Sequence, residues 1–199
     1  MLFNLNLMKR IGFAGMMAVT CLSLQGCIAT AVVGGAAVAT KVATDPRTAG
    51  RQLDDESLEE KIAYNLNKDE QLKQESRINV VVYSGKALLI GQTLSESAKE
   101  SAKSIAAGVE GISAVYNEIR IGEKIGMMQI SKDSWITSKI RSQLLANSEV
   151  KSTEVKVITE NGEVFLMGNL SDTQANAAAD VARNTAGVTK VIKVISYVR

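Results

Sequence analysis

Histidine is absent from this chain of 199 residues. That removes the Ser-His-Asp and Cys-His catalytic arrangements and the commonest metal ligand. Only two cysteines are present, Cys21 and Cys27, and proline occurs once, at Pro46. Aromatic residues make up 4% of the chain, with a single tryptophan, Trp135. Charge of one sign is lacking too, with 23 Lys and Arg against 21 Asp and Glu. No strongly basic stripe marks a nucleic-acid binder, so no nucleic-acid partner is expected. The paired carboxylates Asp54-Asp55 and Glu59-Glu60 are expected at helix starts and on polar faces, where the helix dipole and solvent favour them. With no nucleophile, acid–base pair or metal cluster standing out, the chain reads as a non-enzyme without a cofactor.

What is present at the start is more informative. Lys9 and Arg10 precede an apolar run from Ile11 to Leu24, and Leu24-Gln25-Gly26-Cys27 follows. A basic lead, a short apolar core and small residues before the cut describe a secretory signal. The run falls short of the roughly 20 apolar residues of a spanning helix. A cysteine directly after Gly26 adds the pattern of a bacterial lipoprotein signal. Residues 1–26 are then removed, and Cys27 becomes the acylated N-terminus. Cys21 leaves with the signal, so the mature protein has no disulfide, free thiol or thiolate metal site. Two or more acyl chains hold a protein stably on its membrane. Ile28 stands where an aspartate would favour inner-membrane retention, so the outer membrane, on its periplasmic side, is the expected location. Met8 begins a more usual basic leader than Met1, and the two remain alternative starts.

Residues 27–53, rich in Ala, Val, Gly and Thr, read as a lipidated N-terminus and tether. The remainder repeats itself. Leu58, Ile62 and Leu66 match Ile136, Ile140 and Leu144 at an offset of 78; Gly85 and Gly91 match Gly162 and Gly168 at 77; Gly111 and Ile112 match Gly187 and Val188 at 76. Two homologous modules follow, 54–122 and 132–199, joined by a linker at 123–131. In each, apolar residues four apart predict an amphipathic helix. Two short alternating strands come next, joined by Ser84-Gly85 or Asn161-Gly162, the latter a strong hairpin signal. Gly91 and Gly168 are expected to end the second strand. A second helix begins at Ser95 or Ser171, and Ser171 with Gln174 forms a capping-box pattern. Its buried stripe is small: Ala98, Ala102, Ile105 and Ala106, or Ala178, Val181 and Ala182. A last strand runs near 114–121 and 190–198. The fold class is α+β, two tandem αββαβ sandwiches with two helices on one face of a three-stranded sheet.

The repeated unit resembles the BON domain of bacterial envelope proteins. The glycines above carry the likeness, with Tyr116-Asn117-Glu118-Ile119-Arg120, Trp135-Ile136-Thr137 and the stretch from Thr159 to Gly168. A lipoprotein signal followed by two copies is similar to the dual-BON outer-membrane lipoproteins. The resemblance implies binding of anionic phospholipids, such as phosphatidylglycerol and cardiolipin, through the second module. It also implies enrichment at the division septum and support of envelope integrity.

The residues suggest where lipid would meet the chain. On a helical wheel Ile136, Ile140 and Leu144 share the core face, while Trp135, Ser138, Ser142 and Leu145 lie opposite, bordered by Lys139 and Arg141. Indole favours the headgroup zone, and cations favour an anionic surface. The equivalent face of the first module carries Glu60, Tyr64 and Asn67, with Glu59 and Lys61 nearby. Residues 54–122 hold 8 basic and 12 acidic side chains, against 10 and 8 from 123 onward. Two alternatives stay open on sequence alone. Trp135 packs under a neighbouring segment, such as 125–130, or it is exposed. The protein is a phospholipid binder, or a periplasmic scaffold for outer-membrane assembly, peptidoglycan-remodelling or division proteins.

Overall fold

Two hairpin turns frame the molecule. Ser84 and Gly85 take φ of 52° and 75°, and Asn161 and Gly162 take 51° and 77°. This is the type I′ geometry, whose twist matches that of the strands it joins. The computed structural model describes residues 49–198, which lie within one compact unit of the chain. Cys27, the signal segment and most of the tether lie outside the described residues.

The first module runs α1 (Ala49–Lys68), α2 (Glu70–Glu75), β1 (Arg77–Tyr83), β2 (Lys86–Thr93), α3 (Glu96–Ala107) and β3 (Ala114–Ile121). The second runs α4 (Met127–Leu145), β4 (Val155–Glu160), β5 (Glu163–Leu170), α5 (Asp172–Arg183) and β6 (Lys190–Tyr197). In each sheet the middle strand pairs antiparallel with the first and parallel with the last. The αββαβ order therefore holds in both copies. The short helix α2 is an addition, capped by Asp69, whose side chain accepts from Leu72 N–H. A 3-10 turn at Ser152–Glu154 stands at the corresponding point before β4.

Local expectations need correction at two glycines and at the helix starts. Gly91 and Gly168 lie inside β2 and β5 rather than at their ends. An ideal Cβ on Gly91 would stand 1.9 Å from Arg77 O, and one on Gly168 2.3 Å from Glu154 O. Glycine lets the neighbouring strand's start close over the sheet there. The first helices also start ahead of positions 54 and 132. Their leading turns extend beyond the core residues that set the periodicity, starting with Leu58 and Ile136.

Both faces of each sheet are buried. Ala87 and Leu89 of β2 meet α1 and α3, while Val164, Leu166 and Leu170 of β5 meet α4 and α5. The alternate residues form a third core: Val81, Tyr83, Leu88 and Ile90 pack against Phe165, Met167 and Val194. The two modules thus join sheet to sheet, giving layers of helices, sheet, sheet and helices. Strands β2 and β5 do not alternate as expected. Ala87-Leu88-Leu89-Ile90 and Val164-Phe165-Leu166-Met167 are continuous apolar runs, the pattern of strands covered on both sides.

Charged pairs rim this contact. Buried Glu160 accepts from Arg77 at 2.6 Å and from Gln92 Nε2 at 2.7 Å. Gln92 Oε1 in turn accepts from the Ile125 N–H of the linker at 3.2 Å. Lys86 Nζ donates to Ser196 Oγ at 2.7 Å, and Arg120 donates to Glu163 at 2.6 Å. By the repeat these two contacts occupy equivalent positions, so the modules pack about an approximate two-fold axis. The hydrogen bond to Glu163 raises the Arg120 pKa above its ordinary value. Lys156 Nζ reaches Glu59 at 2.9 Å. We expect Phe165→Ala, which empties the centre of the third core, to lower stability by about 3–5 kcal/mol in urea unfolding.

Candidate functional site

Helix α4 is anchored from inside by Ile136, Ile140 and Leu144, all buried. A fourth buried residue, Asp133, ties it to the hairpin. Its Oδ2 accepts from Asn161 N–H at 2.7 Å and its Oδ1 from Gly162 N–H at 2.9 Å. Asp55 of α1 does the same for Ser84 and Gly85, at 2.7 and 2.9 Å. The tight turn points these two N–H groups away from the strand ladder, and buried donors require an acceptor. This corrects the expectation for the acidic pairs. Asp54 and Glu60 are exposed, but Asp55 is buried, and Glu59 accepts from Val82 N–H at 2.8 Å on the edge of β1.

The opposite side of α4 is open. Trp135 is 56% exposed, and Met127, Met128 and Leu145 are 76%, 74% and 73% exposed. On the wheel these four, with Ser138 and Ser142, fall within an arc of about 100°. Segment 125–130 does not cover Trp135, because residues from Met127 onward are the first turn of the same helix. Met127 and Met128, whose segment the sequence offers only as a cover for Trp135 or a surface for protein partners, belong to this exposed arc. Met128 stands seven residues before Trp135, and extending the wheel backward would have found it.

The polar members are partly folded back. Ser138 Oγ donates to Ser134 O at 2.9 Å, and Ser134 Oγ to Ile130 O at 2.9 Å. Such back-bonding satisfies the hydroxyl within the helix, so this face is less polar than its composition suggests. Lys139 Nζ lies 4.8 Å from the Trp135 ring centroid, a cation–π pair. Lys132, exposed on the same flank, was also missed. Arg141 is exposed on the other flank, yet its guanidinium donates to Val157 O at 3.0 Å. It therefore also covers the edge of β4, a task its wheel position did not reveal.

Beside Trp135 lies a recess of about 610 Å³ between α4, the Asn161-Gly162 turn and the Ala186–Thr189 loop. Gly187, at φ +92°, lets that loop reach α4; an ideal Cβ there would lie 3.0 Å from Ile136 Cδ1. No helix among the described residues is long and apolar enough to cross a membrane. Among the same residues no group of three or more His, Cys, Asp or Glu is placed to hold a metal ion.

Comparison with known proteins agrees with this architecture. The BON domain family profile matches residues 54–123 and 132–199. The chain is 71% identical over 155 residues to the 21 kDa hemolysin of Actinobacillus pleuropneumoniae, covering 78% of this chain and 80% of that one. It is 56% identical over 174 residues to the outer membrane lipoprotein DolP of Haemophilus influenzae, covering 87% and 90%.

Two outcomes follow from the geometry. Asp133→Ala strands two turn donors and is expected to lower stability by about 2–4 kcal/mol in urea unfolding, with Asp133→Asn less harmful. Trp135 fluorescence is expected to be quenched more by iodide than by caesium, because Lys139 beside the ring attracts the anion; equal quenching would contradict the cation–π geometry.

Proposed function

The chain belongs to the BON-domain family, and on that premise we propose an outer-membrane lipoprotein that lays α4 on anionic phospholipid and thereby supports envelope integrity. The stripe of Met127, Met128, Trp135 and Leu145 flanked by cations carries this reading. The identity with an outer membrane lipoprotein over most of both chains supports the location. The family and that relative point to a non-enzymatic role.

The equivalent positions on α1 supply an internal contrast. Gly50, Ser57, Glu60 and Asp54 replace Met128, Trp135, Ser138 and Lys132. At these positions one copy presents apolar groups and a cation, and the other acidic or small residues, although Tyr64 of α1 stands where α4 has Ser142. A single interfacial helix is a weak holder, and each cation near an anionic surface adds about 1 kcal/mol. With Cys27 acylated, the anchor confines the module to the membrane, and α4 has only to select anionic regions such as a division septum. A second reading, a protein partner on α1, is favoured by Leu53 and Tyr64, both exposed on its outer side. It places the scaffold role on the layer opposite α4.

Flotation of residues 45–199 with phosphatidylglycerol-containing or phosphatidylcholine vesicles tests the lipid reading. Binding to the anionic vesicles is expected to weaken about fivefold for Lys132→Gln and likewise for Lys139→Gln, and to be lost in Trp135→Glu. Equal binding to both vesicle types, or unchanged binding by Trp135→Glu, rejects it.

A further inference from the structure

We infer that the recess beside Trp135 is a subsite for one acyl chain of an anionic amphiphile, which rests on the lipid-contact reading and deepens it. Surface adsorption uses only the outer arc of α4. The recess adds backbone and side chains from two loops that are distant in sequence, the hairpin turn at Gly162 and the loop at Gly187. Its volume of about 610 Å³ falls in the range of roughly 300–1,000 Å³ typical of small-molecule sites. Met128, Trp135 and Ile136 supply an apolar wall, and Lys132 lines the same space.

Charge complementarity selects the occupant. By the repeat, Lys132 corresponds to Asp54, Ala186 to Glu110, Trp135 to Ser57 and Met128 to Gly50. At four equivalent positions the second module has exchanged acidic or small residues for a cation or apolar groups. The ligand that matches both changes has an anionic head and a hydrocarbon tail. Its chain lies against Trp135 and Ile136, with its head beside Lys132 and Lys139. Gly187 is what leaves the loop close enough to form the far wall.

Trp135 is the only tryptophan, so it reports occupancy directly. The probe is a monoacyl phosphatidylglycerol brominated in mid-chain, held below its critical micelle concentration and added to residues 45–199. Saturable quenching of Trp135 is expected. Ala186→Phe, in an exposed loop, should weaken it about tenfold. Lys132→Glu should weaken monomer binding independently of any filling of the recess. Absent or non-saturable quenching, or quenching unchanged in both variants, overturns the subsite. Vesicle binding without monomer quenching removes the subsite alone, leaving the surface reading. Monomer binding without vesicle binding supports the subsite and removes the surface reading. Displacement of the bromolipid by an apolar peptide, but not by unbrominated lipid, would assign the recess to a protein segment and overturn the proposal.

Discussion

The burial of one three-stranded sheet against the other is the interaction on which the architecture depends. A module of about 70 residues encloses little core by itself, because small domains bury a lower fraction of their surface. Covering the second sheet face with Val81, Leu88, Ile90, Phe165 and Met167 supplies what each module lacks. The same contact fixes orientation. Helices α1 and α3 form one outer layer and α4 and α5 the other, so a flat surface that meets α4 does so with α1 on the far side.

The acidic residues illustrate how the repeat divides its work. Asp55 and Asp133 hold equivalent turns with nearly equal geometry. Glu59 covers a strand edge, and Glu160 gathers Arg77 and Gln92 at the rim between sheets. These carboxylates serve backbone donors and partner cations, and the interior framework is nearly the same in both copies. Divergence includes the outer arcs of the first helices, where no packing constraint opposes a change from serine to tryptophan or from aspartate to lysine. A duplicated fold has in this way kept its scaffold and acquired two different faces.

Much of the scaffold was legible in the chain. The four-residue spacing of Leu58, Ile62 and Leu66, the Asn161-Gly162 turn and the Ser171–Gln174 capping box are local signals, and each appears where its chemistry places it. The continuous apolar runs of β2 and β5 also signalled a second buried face, although reading them as alternating strands obscured it. Legibility fell at the helix starts, where the leading turns leave the core and lose the periodicity that marks them. It fell again at Arg141, since a wheel records bearing but not which carbonyl a guanidinium reaches.

By itself the sequence determined the αββαβ order, the duplication and the side of α4 that turns from the core, because these follow from periods and turns spanning a few residues. Tertiary structure decided that Trp135 stands open, that Asp133 is buried at the hairpin, and that a recess exists beside the indole. Each of those outcomes depends on groups far apart in the chain, Gly187 against Ile136 and Asn161 against Asp133, whose approach is set by packing. Local pattern carries no record of such distances.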